Sequence, residues 1–166
     1  MIEDLDDLEE LFDDLDFERP TSEQIEQMYE IYLTDFVRNP LRVKGKVVRY
    51  NNTPTKDPLF RGLHETFRHV VTRESKISER RLFDSQRANR IHWIKPILKN
   101  ASDSEIWYFE RLDSRNRNQH YYWYKSRDFI VILREIEPDV LLVTSFCVDK
   151  LERIKYTNWY KDYKGL

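Results

Sequence analysis

Two short apolar runs separated by a polar link constrain the fold of this chain more than any other feature. The runs are FIVIL at 129–133 and VLLVT at 140–144, and the link between them contains Glu137, Pro138 and Asp139. Both runs are rich in β-branched residues and bounded by turn residues, so they predict two strands joined as a hairpin. Because the runs are apolar without interruption, both faces of the strands must be covered. We therefore expect the central strands of a sheet with helices packed against it.

Simple alternation along the second strand predicts which of its side chains share a face. One face carries Leu142, Thr144, Phe146 and Val148, and the other carries Leu141, Val143, Ser145 and Cys147. Thr144 is a hydroxyl at the end of the most apolar element, where a rigid scaffold can hold a functional side chain. Threonine is also a common strand residue in its own right. From this stretch alone, both interpretations of Thr144 remain open.

Composition excludes several classes of function. A length of 166 residues predicts about one domain with a real core. With only three glycines, the chain has no glycine-rich phosphate loop or dinucleotide-binding fingerprint. The single cysteine, Cys147, excludes a disulfide framework and a cysteine-rich zinc site. There is no long apolar run and no signal peptide, so we expect no membrane segment and a cytoplasmic, reduced setting. We expect no cofactor.

Charge is distributed unevenly along the chain. Residues 1–18 contain ten acids and no base. The other 148 residues hold all 28 Lys and Arg but only 20 of the 30 Asp and Glu, which gives them a net charge of +8. A basic body behind an acidic arm predicts a surface that binds a polyanion, with a segment that competes for it.

The acidic arm, residues 1–20, has an amphipathic pattern. Its apolar residues recur at spacings of three and four and are Ile2, Leu5, Leu8, Leu11 (or Phe12) and Leu15. This spacing predicts a helix that ends at Pro20. Like charges repel and short helices are marginal alone, so the arm is either a solvated tail or a helix that docks on its own basic body or on a partner.

The remaining pattern predicts an α+β domain with N-terminal helices packed on a four-stranded, mainly antiparallel sheet. A capping box at Thr21–Gln24 starts a helix that runs to about Arg38. The further predicted elements are a strand at 43–50, a helix that starts after Gly62 in the segment 59–74, a helix at 83–99, strands at 105–111 and 118–124, the central hairpin, and a packed helix or irregular cover at 150–166. We divide the chain into the arm at 1–20, a helical N-terminal extension at 21–42 and a main domain at 43–166.

Residues 61–99 combine basic charge with histidine. The segment holds ten bases against four acids, and the acids are Glu65, Glu74, Glu79 and Asp84. Three of the four histidines, His64, His69 and His92, lie in the same segment. Arginine suits phosphate because its fork donates two parallel hydrogen bonds. The alternative is a pair of helices with ordinary solvated arginines.

Common catalytic motifs are absent from the sequence. No two histidines have the spacing of a zinc-binding helix, and neither HExxH nor GxSxG occurs. We therefore predict no metal site and favour metal-free acid–base chemistry on a polyanion. RNA supplies its own nucleophile in the 2′-hydroxyl, so its cleavage requires only a base, an acid and cations on the phosphate.

Four segments together resemble the barnase–EndoU–colicin–RelE-like (BECR) nuclease superfamily, in its phage- or toxin-associated subgroups. They are TFRHVVTRE at 66–74, RANRIHWIKPIL at 87–98, FIVIL at 129–133 and LLVTSF at 141–146. The resemblance covers roughly residues 43–149. It implies a toxin-like, metal-independent ribonuclease, often directed at tRNA, and an antitoxin or immunity protein that holds it in check.

The resemblance also implies roles for individual residues. His69 would be the general base or acid, although it could instead be a structural partner of Glu65. Thr144 would be the hydroxyl of the late strand. The remaining implied site residues are Arg73, Arg87 and Arg90, which would bind or polarise the phosphate. Phe146 departs from the pattern, because many relatives have tyrosine there. Tyr122 or Tyr124 would be the candidates to replace that phenol.

Three functional hypotheses follow. The first is a ribonuclease that cleaves by 2′-hydroxyl attack to a cyclic phosphate, with the arm damping activity or docking a partner. It predicts that removing residues 1–18 raises RNA affinity. The second is a non-catalytic nucleic-acid-binding module that stacks bases on the aromatic strand at 121–124. The third is an interaction protein whose acidic arm mimics nucleic acid.

Overall fold

The computed structural model describes residues 4–78 and 80–166. Within these residues the fold is α+β, with five helices, a curled six-stranded mixed sheet that forms a half-barrel, and a separate two-stranded hairpin. The helices are α1 (Ser22–Tyr32), α2 (Glu65–Val71), α3 (Ser85–Ala88), α4 (Ile94–Lys99) and α5 (Lys150–Lys164). The strands are β1 (Arg42–Val43), β2 (Lys46–Arg49), β3 (Thr72–Glu74), β4 (Arg81–Phe83), β5 (Ile106–Leu112), β6 (Asn118–Tyr124), β7 (Phe129–Ile136) and β8 (Asp139–Cys147).

The predicted central hairpin is confirmed as β7 and β8. The two strands pair antiparallel, and β7 lies between β8 and β6 in the sheet. Alternate β7 side chains enter two different cores: Phe129, Val131 and Leu133 face one, and Ile130 and Ile132 face the other. The uninterrupted apolar run of β7 is therefore buried on both faces of the sheet.

A β-bulge in β8 overturns the face assignment made by simple alternation. Ile132 pairs with Thr144, whereas the next β7 residue, Leu133, pairs with Leu142. Val143 is the extra residue, and one extra residue moves everything beyond it to the opposite face. Leu142 therefore packs in the core opposite to that of Phe146.

The sheet has six strands rather than the four predicted. The segment predicted as one strand at 43–50 turns back at Lys44 and Gly45, both with positive φ, and forms the hairpin β1–β2. Strand β2 then pairs parallel to β8, but only at Val140 and Leu141. This short parallel pairing makes the sheet mixed and leaves the rest of that β8 edge unpaired by β2.

Helix α1 is confirmed with its capping box: Thr21 Oγ1 accepts from the backbone N–H of Gln24, and Gln24 Oε1 accepts from that of Thr21. The chain continues as one wider helical stretch over Leu33–Arg38. Met28, Tyr32 and Phe36 are buried, as their four-residue spacing predicts.

The acidic arm is not the predicted amphipathic helix. A short 3-10 turn at Leu5–Asp7 is its one helical element in the described part, and the rest follows an irregular path; Ile2 and Glu3 lie outside the described residues. Leu5 and Leu8 are nevertheless buried in the same core as the sheet and helices. The arm is docked on its own body as an extended segment, because ten acids on one short helix would repel while the extended path spreads them.

The two middle helices are shorter than predicted. The helix predicted from after Gly62 to Glu74 begins at Glu65 as α2 but ends at Val71, where the chain continues as β3. The segment predicted at 83–99 breaks into α3, a 3-10 turn at Ile91–Trp93 and α4. Arg90, with φ −121° and ψ 18°, leaves the helical region. Pro96 then falls in the first turn of α4, where a missing N–H removes no helical hydrogen bond.

Two cores cover the two faces of the sheet. The larger core packs the arm, α1, α2, α3 and α4 on one face, and the smaller packs α5 on the other through Tyr156. Side chains from the arm, the extension at 21–42 and the main domain all lie in the larger core. The three predicted segments therefore share one core within the described residues.

Candidate active site

The unpaired edge of β8 is where the candidate site assembles. Beyond Leu141 this edge has no β2 partner, and α2 and α3 both pack against β8. Strand β3 follows α2 directly, and β4 leads into α3, so the hairpin β3–β4 begins and ends at the same place. Its residues therefore meet Thr144 although they are far from it in sequence.

Thr72, the first residue of β3, is the hub of the site. Its side chain is fully buried. Its hydroxyl donates to the carbonyl oxygen of Arg68 and accepts from Nε of Arg81 at 2.8 Å. Its carbonyl oxygen accepts from Nη2 of Arg81 at 3.0 Å and from Nη1 of Arg87 at 2.9 Å. One residue therefore fixes the positions of two guanidinium groups.

Thr144 links this hub to β8. Its hydroxyl accepts from Nη1 of Arg87 at 3.2 Å, and it donates to the carbonyl oxygen of His69 at 3.5 Å. Nη2 of Arg81 approaches the same His69 carbonyl at 3.4 Å. The structure thus brings Arg87 and Thr144, two of the residues that the sequence singled out, together with the backbone of a third, His69.

His69 is the titratable group of the site that solvent can reach. Its side chain is 42% exposed, and Nε2 lies 3.7 Å from a carboxylate oxygen of Glu65. Partial burial, reinforced by the positive charge of Arg81, lowers the pKa of His69 below its ordinary value of 6.5. The imidazole is therefore neutral at neutral pH and can accept a proton. The Glu65 pairing that the sequence raised as a structural alternative is present, and the ring remains accessible beside it.

The arginines keep donors that the protein does not use. Arg87 is held by Thr72 and Thr144, and its buried Nε lies 3.3 Å from Asp84 without a hydrogen-bonding angle. Its remaining terminal nitrogen, Nη2, has no hydrogen-bond partner among the described residues. Arg73 is exposed and uses Nη1 to donate to the carbonyl oxygen of Phe83 at 3.1 Å. Donors of this kind suit a phosphate.

Arg90 lies apart from this cluster, on the face covered by the acidic arm. It donates to Glu10 at 3.0 Å and to the carbonyl oxygen of Gln86, and its guanidinium lies 5.2 Å from the Trp93 ring. A continuous helix would place residues 87 and 90 on one side. The helical break at Arg90 turns its side chain toward the arm instead.

Tyr122 and Tyr124 also lie apart from the cluster, in the larger core. Tyr122 is 3% exposed and Tyr124 is 1% exposed, and the Tyr124 hydroxyl donates to the carbonyl oxygen of Leu5. Neither ring presents a face on which a base could stack. The phenol next to Phe146 belongs instead to Tyr156 of α5, whose ring centroid is 5.7 Å away.

Sequence reasoning missed Thr72, Arg81 and Tyr156. The sequence predicts helix at residues 72–74, and inside a helix Thr72 would have no distinctive position. Arg81 lies between two predicted helices, in a segment for which the sequence predicted no element. The serine-rich stretch at 75–78 is the signal that could have suggested a turn there. Tyr156 lies in a tail for which the sequence predicted only a cover.

Other types of site were sought in the part of the chain that the structure describes. Over residues 4–78 and 80–166 there is no cluster of three or more His, Cys, Asp and Glu side chains that could share a metal ion. None of the helices in the same residues has the length and apolar composition that a membrane crossing requires.

Comparison of the chain with protein-family models, curated proteins and solved structures finds no match in any of the three.

Proposed function

We propose that this chain is a toxin-like, metal-independent endoribonuclease and that tRNA is among its substrates. The observation that supports this proposal best is that Arg81 and Thr144 both contact the backbone carbonyl oxygen of His69, whose imidazole is accessible and has a lowered pKa, and that Arg87 bonds Thr144. His69, Arg81, Arg87 and Thr144 come from four different elements and meet around Thr72. A base and fixed cations are two of the three things that cleavage of RNA by its own 2′-hydroxyl requires, and water supplies the third, the acid for the leaving oxygen.

In the proposed reaction His69 accepts the proton of the 2′-hydroxyl. The 2′-oxygen then attacks the adjacent phosphorus, and the bond from phosphorus to the 5′-oxygen breaks. The products are a 2′,3′-cyclic phosphate and a 5′-hydroxyl, whose proton comes from water, and His69 returns its proton to solvent. Arg87 and Arg73 neutralise the charge that develops on the phosphate oxygens. Thr144 is a positioning residue, because it holds Arg87 and the His69 backbone.

The binding-module alternative required bases to stack on the aromatic strand at 121–124, where Tyr122, Trp123 and Tyr124 are buried and Tyr121 is partly buried. The nucleic-acid-mimic alternative required the acidic arm to bind another protein, whereas the arm already pairs with its own body through Glu10 and Arg90. Neither alternative has a specific observation in its favour.

The test is incubation of the purified chain with total RNA and with tRNA in EDTA. The wild type should produce discrete fragments that end in a cyclic phosphate, and His69→Ala should lower the rate about 100-fold or more. Thr144→Ala should also lower it. His92→Gln is a matched control, because His92 lies outside the site and glutamine can still donate to the carbonyl oxygen of Glu9.

The pH profile provides a second readout. Because burial and the charge of Arg81 lower the pKa of His69 below 6.5, kcat/KM should fall as the pH becomes acidic, with a midpoint below about 6.5. Salt-sensitive RNA binding with no cleavage at any pH would overturn the nuclease and favour a binding module.

A further inference from the structure

The hairpin β3–β4 lies outside the six-stranded sheet, and the loop that joins its two strands has no role in the chemistry proposed above. Its strands pair only with each other, from Thr72 opposite Phe83 to Glu74 opposite Arg81. The loop between them is ordered locally: the backbone N–H of Ser75 donates to the carbonyl oxygen of Arg80, and Ser75 Oγ accepts from the backbone N–H groups of Ile77 and Ser78. Glu79 lies outside the described residues.

The base of this hairpin is fixed to the candidate site. Thr72 is the hub described above, and Arg73 donates across the hairpin to the carbonyl oxygen of Phe83. Arg81 joins the hairpin to the backbone of His69. Ile77 is five positions beyond Thr72, so even a fully extended chain, at about 3.3 Å per residue, would place it no more than roughly 16 Å from the hub.

The hairpin, residues 72–83, carries four bases against two acids and exposes an apolar tip. Arg73, Lys76 and Arg80 are exposed, and no carboxylate of the described residues lies within ion-pair distance of any of them. Ile77 at the tip is 98% exposed. Exposed cations beside an exposed apolar side chain are suited to a ligand with both phosphates and rings.

We propose that the β3–β4 hairpin holds single-stranded RNA next to the scissile phosphate. In this arrangement Arg73, Lys76 and Arg80 contact backbone phosphates, and Ile77 packs on an unstacked base. The proposal rests on the proposed ribonuclease function and specifies its substrate as unpaired RNA. Paired RNA fits less well, because the major groove of an A-form helix is too deep and narrow for side chains to read, whereas an unpaired strand offers its bases freely.

The experiment measures RNA binding by the full chain in a His69→Gln background, so that cleavage does not interfere. A fluorescently labelled single-stranded 12-mer and its duplex are titrated over a range of salt concentrations. The test variant adds Lys76→Ala and Arg80→Ala. The matched control adds Lys161→Ala and Lys164→Ala, which removes the same charge from exposed residues at the far end of α5.

We expect the hairpin variant to bind the single strand more weakly, with the slope of log K against log salt reduced in magnitude by about 1.4 because each lost phosphate contact contributes about 0.7. Ile77→Ser should weaken binding of the single strand at every salt concentration without changing the slope. Since these side chains are exposed, thermal melting should be unchanged in both variants. The Lys161 and Lys164 control should retain the slope of the parent chain.

Equal losses in the hairpin variant and the control would overturn the proposal, and so would equal losses for the single strand and the duplex. These outcomes are distinct from failure of the nuclease. Cleavage by the wild type with hairpin-independent binding overturns the hairpin proposal alone. Hairpin-dependent binding without cleavage by the wild type overturns the nuclease alone.

Discussion

At the scale of single residues, the candidate site depends on a threonine rather than on its charged groups. The carbonyl oxygen and hydroxyl of Thr72 take three hydrogen bonds from arginines. Arginine side chains have many rotamers, so two guanidinium groups stay ordered only when a rigid neighbour fixes them. A buried backbone position at the start of a strand provides that rigidity.

Thr72→Val should destabilise the fold by about 2 kcal/mol, because the nearly isosteric valine leaves the Nε donor of Arg81 and the carbonyl oxygen of Arg68 without their partner. The free energy of unfolding measured by urea denaturation tests this. Thr72→Ser keeps the hydroxyl and is the matched control. If the valine and serine variants unfold alike, the hydroxyl does not hold the arginines.

At the scale of elements, the acidic arm is part of the fold. Leu8 is 1% exposed, and its carbonyl oxygen accepts from Arg127, while Trp93 donates to the carbonyl oxygen of Glu9. Removal of residues 1–18 would uncover this core as well as Arg90. Truncation therefore changes stability together with charge, and the gain in RNA affinity expected from the sequence is better tested with Glu10→Gln.

Leu8→Ala should lower the free energy of unfolding by about 3 kcal/mol, the usual range for a leucine removed from a packed core. Phe17→Ala is the control, because Phe17 belongs to the same arm but is 71% exposed and should change stability little. Urea denaturation of both variants is the measurement. A Leu8 variant as stable as the Phe17 variant would mean that the arm detaches without disturbing the core.

At the scale of the whole molecule, polar groups join the two ends of the curled sheet. The ammonium of Lys44, in the β1–β2 turn, lies 3.4 Å from the ring centroid of Tyr108 on β5, at the opposite end of the strand order. Lys46 on β2 pairs with Glu135 on β7, and His120 on β6 bonds both Tyr108 and Glu135. These contacts maintain the half-barrel curvature.

Glu135 should make the half-barrel less stable in acid. Its hydrogen bonds with Lys46 and with His120 hold its pKa at about 2, below the ordinary 4.5. A carboxylate with a lowered folded-state pKa contributes stability above about pH 4.5, and that contribution is lost as the pH falls toward 2. The difference in unfolding free energy between wild type and Glu135→Gln should therefore be largest near neutral pH and shrink below pH 4.5.

Glu137→Gln is the control for this measurement. Glu137 reaches the same Lys46 at 3.4 Å but is 77% exposed, so solvent screens the pair and its removal should matter less. Urea denaturation at several pH values between 7 and 3 provides the comparison. A wild-type advantage over Glu135→Gln that stays constant with pH would contradict the role assigned to Glu135.

The sequence by itself determined the elements whose signal is local. The apolar runs of β7 and β8 and the capping box of α1 are confirmed because alternation, burial and end-capping depend on neighbouring residues. The α+β class follows from them. The sequence also singled out Arg87, Thr144 and His69, and the structure brings the first two together with the backbone of the third.

Only the tertiary structure decided the rest, because each of those features depends on contacts between distant residues. The bulge at Val143 puts Thr144 on the face of the sheet opposite to Leu142. The helical break at Arg90 turns that side chain toward the arm rather than toward the site. The arm itself has a helical pattern, but burial of Leu5 and Leu8 in an existing core stabilises it more than a highly charged helix would. Thr72 is important because it bonds Arg81 and Arg87 beside the open edge of β8. No local sequence pattern predicts that these residues lie together.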